Sequence, residues 1–281
     1  MKQNSIYTFK KAFSMLELIF VIIILGIVSS IGAEIIANTY ESYIVQRAQH
    51  RASLKTELAA TQIANRLARA IPGTVMRRNG LTSADVSDIN IPRADNPTIL
   101  QWVGADIDSF NATPSPAVSP FLPGWSGFVD VDNSPLGAAV ISTPGSDLTL
   151  TSAIITNLGG TIGSSAIFYK AANVLQRRGI SSVTANTITL DSNVTNISEH
   201  YKLAWTSYAL HADANNNLWL YYDFMPTVGT NIANHKSELL LRNVTTFKFR
   251  GDGQTVRFKI CSREEIGEDY NITICKEKAV F

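Results

Sequence analysis

Glu17 is an acid inside an otherwise apolar run, Phe13-Ser14-Met15-Leu16-Glu17-Leu18-Ile19-Phe20 and on through Val28. An ionised carboxylate at that depth in a bilayer costs roughly 2.5–3.5 kcal/mol on insertion scales, so Glu17 calls for a partner. A buried carboxylate and a buried ammonium are each costly alone and much less so together. A second candidate is the pair Cys261 and Cys275, the two cysteines of the chain. In an oxidising compartment this spacing reads as a disulfide closing a loop of about 15 residues, worth ~3 kcal/mol in the chain-entropy model. Two buried free thiols are the alternative, and a metal pair fits poorly because the spacing is not C-x-x-C and no histidine is near. A third is Asp213-Ala214-Asn215-Asn216-Asn217, which has the D-x-N-x-N start of a calcium loop. The sixth position of that loop should be Gly and is Leu218; the twelfth should be acidic and is Phe224. A polar hairpin turn is the competing reading of Asp213, Asn215 and Asn217.

No set of residues reads as catalytic. His50, His200, His211 and His235 stand apart in sequence, without an H-E-x-x-H arrangement. There is no G-x-S-x-G elbow and no phosphate-cradling glycine loop. The chain therefore reads as a non-enzyme without a required cofactor. Its net charge of +1 nominates neither DNA nor an anionic membrane surface as a partner.

Glu17 has to be carried by a helix. The apolar run spans about twenty residues, enough to cross the hydrocarbon core at ~1.5 Å per residue. Lys10 and Lys11 precede it, which puts the N-terminus in the cytoplasm and the body outside by the positive-inside rule. The helical pattern continues through a proline-free stretch from Glu34 to Ala70, where Ala60, Ile63, Ala64, Leu67 and Ile71 share one face and Arg66 and Arg69 the other. Pro72-Gly73 ends it. One helix is expected from about Phe13 to Ile71, with Gly26, Gly32, Ser29 and Ser30 as its weak points.

The rest reads as β. Ile99–Val103 is a strand in an otherwise irregular stretch from Thr74 to Gly127, and Asn111–Gly124, with four prolines, is a surface loop. Short alternating segments follow at Phe128–Val131, Ala138–Ser142, Leu148–Ile155, Ala166–Lys170 and Val183–Leu190. Ala204–His211 and Leu218–Phe224 flank the Asp/Asn loop as a hairpin, and Glu238–Arg242, Val244–Phe249 and Thr255–Cys261 extend the sheet. The fold class is α+β, a long N-terminal helix packed on a C-terminal antiparallel sheet domain.

Lys10-Lys11-Ala12-Phe13-Ser14-Met15-Leu16-Glu17 and its apolar tail resemble the prepilin N-terminus, the class III leader of type IV pilins and type II secretion pseudopilins. The resemblance implies cleavage by prepilin peptidase between Ala12 and Phe13, with Ala12 where the family usually has Gly, and N-methylation of Phe13. It makes Glu17 the fifth mature residue, which in that family is held to neutralise the N-terminal amine of a neighbouring subunit. It divides the chain into a leader at 1–12, a membrane and filament-core helix at 13–33, its amphipathic continuation at 34–71 and a β-rich extracytoplasmic body at 72–281. Losing Lys2, Lys10 and Lys11 with the leader takes Lys+Arg from 24 to 21 against 23 acids, or −2 for the mature chain. The stretch Leu239–Phe249 through Cys275 is similar, more loosely, to the closing strands of larger minor pilins and J- or W-type minor subunits. The implied function is a minor pilin or pseudopilin that assembles through its N-terminal helix, at initiation or at the tip. The implied partners are other pilin-like subunits, prepilin peptidase and an inner-membrane assembly platform. The implied location is the inner membrane with a periplasmic body, then the pilus or pseudopilus. Some pseudopilins bind calcium, which bears on Asp213. The alternative is a membrane-tethered binding module or adhesin.

Overall fold

The computed structural model describes residues 14–82, 85–91, 98–112, 121–227, 229–266 and 270–281. The helix α1 runs unbroken from Met15 to Leu67, about 80 Å at the standard rise. Ser14 caps it, its hydroxyl accepting from the Leu16 N–H at 3.3 Å. Gly26 and Gly32 do not break it; nothing lies within 4 Å of where a Cβ would stand on either. The expected extension to Ile71 does not occur. Ala68 is the C-cap, Ala70 bridges to Gly104, and the Ile71 N–H donates to the Val103 carbonyl at 2.9 Å. Pro72 disfavours helical geometry at Ile71, so the chain turns into the sheet.

The strands, in chain order, are β1 (Met76–Arg78), β2 (Val86–Asp88), β3 (Ile99–Gly104), β4 (Val140–Ser142), β5 (Ala166–Ala171), β6 (Val174–Val183), β7 (Thr187–Leu190), β8 (Lys202–Ala204), β9 (Thr206–Ala212), β10 (Leu218–Phe224), β11 (Lys236–Leu241), β12 (Val244–Asp252), β13 (Thr255–Glu265) and β14 (Asn271–Val280). Two short helices, α2 (Ile107–Asn111) and α3 (Leu148–Asn157), lie between them. The strands form antiparallel sheets in the orders β11-β10-β9-β3-β1-β2, β12-β13-β14 and β4-β7-β6-β5-β8.

Two large cores follow from this order, beside smaller clusters around Ile71, Val103 and Phe168 and around Ile99, Tyr221 and Phe224. In the first, Ala59, Ala60, Ile63 and Leu67 of α1 pack with Leu100, Trp102, Leu210, Leu218, Phe258 and Ile260 of the six- and three-stranded sheets. The second belongs to the chain between β3 and β9. Those two strands pair directly, Ile99 opposite His211 through Gly104 opposite Thr206, yet about a hundred residues separate them in sequence. That intervening chain builds the five-stranded sheet and a core of its own around Trp125, Leu148, Ile167, Ile180 and Leu203. Its first and last segments meet where the Asp106 N–H donates to the Leu203 carbonyl at 2.8 Å. The body at 72–281, read from sequence as one β-rich unit, is thus a sheet layer with a large insertion between two neighbouring strands.

Three local expectations are corrected. Leu148–Ile155 is not a strand but the first part of α3: Asp147 caps it through the Leu150 N–H, and Leu148, Thr151 and Ile155 bury one helical face. Phe128–Val131 makes only isolated bridges, Phe128 to His200 and Asp130 to Ser142. Val183–Leu190 is the turn and second arm of a β6–β7 hairpin, closed by the Thr184 N–H on the Thr187 carbonyl at 3.0 Å. The proline-rich stretch falls largely at 113–120, outside the described residues.

Candidate functional site

Ala12 and Phe13, the cleavage and methylation positions, lie outside the described residues. Glu17 lies in the first turn of α1, three residues after the capping Ser14, the S-x-x-E spacing of a capping box. Around it Leu16, Leu18, Ile19 and Phe20 are all more than half exposed, and no described residue before Ala52 is buried. Among the described residues Glu17 has no ion-pair partner. α1 is long and apolar enough to cross a membrane, and its apolar window makes no buried contact with the body. What this segment offers is an apolar cylinder carrying one acid near its end.

The second half of α1 is fixed to β13 and β14 by apolar packing and by polar pairs. Ala52, Thr56, Ala59, Ala60, Ile63 and Leu67 follow helical spacing on the buried face. Thr56 Oγ1 and Ser262 Oγ are 2.6 Å apart and both side chains are buried, while Thr56 also donates to the Ala52 carbonyl at 2.7 Å. On one flank the Glu57 carboxylate lies between Lys278 at 2.5 Å and Lys276 at 3.4 Å. The hydrogen bond from Lys278 is the main influence that holds Glu57 below the usual carboxylate range. On the other flank Arg51 and Lys55 approach Glu264 at 3.6 and 3.4 Å. Cys261 and Cys275 stand directly opposite each other in the β13–β14 register, Cα atoms 4.0 Å apart, and are joined as a disulfide. The bond ties together the two strands on which the helix rests.

Asp213 is committed within its hairpin. Oδ1 accepts from the N–H groups of Asn215 at 2.9 Å and Asn217 at 2.8 Å, and Oδ2 accepts from the Trp219 indole at 2.9 Å. Burial pushes the Asp213 carboxyl up, but these bonds outweigh it and the net shift is downward. The Asn215 and Asn217 backbones serve this turn, and Asn216 takes the left-handed conformation that closes it. The histidines are not brought together: His50 is on the exposed face of α1, His211 is half-buried beside Tyr221, and His235 packs on Phe224. Among the described residues no three His, Cys, Asp or Glu side chains are grouped to hold a metal ion.

A site that sequence reasoning missed lies where the insertion meets the main sheet layer. Ile71 and Pro72 just past the end of α1, Phe110 of α2, and Trp125, Phe168 and Tyr201 of the insertion line a cleft of about 590 Å³. Lys170, Lys202 and His200 stand on its lining, which holds no Asp or Glu among the described residues. The Trp125 indole donates to the Asp106 carbonyl at 2.8 Å, and its ring lies 4.8 Å from Phe110 and 5.7 Å from Tyr201. Burial pushes the Tyr201 phenol up to about 12. Asp106, the cap of α2, accepts from the Ser109 N–H at 3.1 Å through Oδ1, while its buried Oδ2 has no hydrogen-bond partner among the described residues. Burial pushes its carboxyl up, against the bonds from Ser109. The lining comes from segments spread between Ile71 and Gln254, so no local pattern announces it.

Compared with family models, curated proteins and solved structures, this chain matches none.

Proposed function

We propose that this chain is a filament subunit of the type IV pilin and type II secretion pseudopilin class, a minor one by its length, acting at initiation or at the tip. The observation that carries the reading is Glu17. It is an acid in the first turn of α1, in the apolar part of the helix whose whole circumference is unoccupied by the body. In a bilayer such an acid is costly, and in a bundle of like helices it can meet a neighbour's amine. The first half of α1 waits in the inner membrane with its N-terminus in the cytoplasm, and is then drawn into the filament core. The second half, fixed to β13 and β14, carries the periplasmic body to the filament surface. Prepilin peptidase, an assembly platform and other pilin-like subunits are the partners this requires.

The test is to express the full chain with and without a prepilin peptidase and determine the N-terminus by mass spectrometry. A peptidase-dependent new terminus at N-methylated Phe13 is expected. Persistent Met1, or cleavage beyond residue 30, would remove the reading.

A second reading, a membrane-tethered binding module, is favoured by one observation: the aromatic cleft lies at the end of α1 remote from the apolar segment. It predicts a ligand for the body that is independent of assembly.

A further inference from the structure

We infer that the cleft between the insertion and the main sheet layer is a binding site for a small aromatic anion. Its volume of about 590 Å³ lies within the range of small-molecule sites, which form preferentially at junctions between structural units. Its walls are apolar, with Phe110 the one open ring and Trp125, Phe168 and Tyr201 nearly buried behind it, only their edges reaching the lining. The position of the cations decides the charge of the ligand. Phe168 is paired with Lys202 across β5 and β8, Lys170 lies two residues beyond Phe168, and His200 two residues before Lys202. Strand alternation therefore places Lys170 and Lys202 on the same face as Phe168, with Tyr169 and Tyr201 on the other, so the cleft wraps the edge of this sheet at β8. Both lysines are exposed, neither forms an ion pair among the described residues, and no described Asp or Glu lines the cleft, although the same lysines also border an adjoining pocket lined by Asp88 and Phe281. A planar apolar body can lie on the open Phe110 ring and the apolar lining, and a carboxylate, sulfonate or phosphate on its edge meets the two ammonium groups.

The location separates this site from the membrane reading. Ile71 and Pro72 follow the end of α1, ~50 Å along the helix direction from the last apolar turn near Ile36 at 1.5 Å per residue. A ligand there comes from the surrounding medium and not from the bilayer. The inference holds whether or not the chain enters a filament.

The experiment uses the full chain in lipid nanodiscs, titrated calorimetrically with 2-naphthoate and with its neutral counterpart 2-naphthamide, against empty nanodiscs. Saturable binding of one naphthoate per chain is expected, with naphthamide at least about tenfold weaker, the effect of losing charge-assisted contacts. The double variant Lys170→Gln, Lys202→Gln, changed only at exposed positions, should weaken naphthoate by about tenfold or more and leave naphthamide unchanged. Phe110→Ala, which removes part of a wall, should weaken both. No saturable binding above empty nanodiscs, equal affinity for the two compounds, or naphthoate binding indifferent to the lysine changes would each overturn the assignment.

Discussion

Asp106 and the Thr56–Ser262 pair are buried polar groups with opposite consequences. The Asp106 carboxyl is buried, with one oxygen bonded to Ser109 and the other unpartnered among the described residues, and its burial raises its affinity for a proton in the folded state. A carboxyl raised in this way destabilises the fold as pH climbs from the unfolded value, near 3.8, through the folded one, and the loss stays in place at neutral pH. Asp106→Asn keeps an oxygen to cap α2 and removes the charge. It should raise stability by about 1–3 kcal/mol at pH 7 and by almost nothing at pH 3, read from denaturant unfolding at the two pH values. Thr56 and Ser262 satisfy each other. Thr56→Val leaves a buried Ser262 hydroxyl without its partner and should cost about 1–3 kcal/mol. Adding Ser262→Ala removes the orphan, so the double variant should lose less than the sum of the singles, with a coupling of about 0.5–3 kcal/mol. Additive losses would mean that the two hydroxyls do not depend on each other.

At the scale of elements, the disulfide joins the two strands that carry the helix. Replacing both Cys261 and Cys275 by Ser should cost about 3 kcal/mol. The loss should appear first as faster amide exchange along β14, the outer strand of its sheet. Uniform loss of protection throughout the body would place the bond's influence elsewhere. Much of this architecture was legible in the sequence because its periodicities are strong. α1 and the β9–β10 hairpin declare themselves by the 3.6- and 2-residue spacing of apolar side chains. β14 was hidden because Lys276 and Lys278 interrupt its apolar alternation. They are on the face toward α1 because Glu57 is there to receive them, a match that only the fold reveals. α3 was misread because its Leu, Thr and Ile residues suit a strand as well as a helix. The cap at Asp147 and the wall against which Leu148 and Ile155 pack decide for the helix. Glu17 was legible because a charge in an apolar run is a local anomaly. The cleft was not, since its aromatics and lysines meet only when the insertion folds back beside β3 and β9.

At the scale of the whole molecule, an apolar half-helix projects from a folded body, and under the proposed function Glu17 would act in opposite directions in a bilayer and in a bundle of like helices. In the bilayer the acid is a cost of roughly 2.5–3.5 kcal/mol, so Glu17→Ala should leave membrane insertion intact or improve it. In a bundle of like helices the acid would be half of an ion pair. Its removal there would strand a neighbour's buried ammonium, at about 3–5 kcal/mol, or more than a hundredfold in the equilibrium for joining. The variant should therefore accumulate in the membrane fraction at wild-type levels or above, be processed at its N-terminus, and be absent from filaments sheared from the cell surface. Immunoblots of the two fractions separate the cases. If Glu17→Ala is lost from the membrane and the filaments alike, the acid serves insertion or folding. If it reaches filaments as well as the wild type does, no amine depends on it, and the pairing on which the assembly reading rests does not occur.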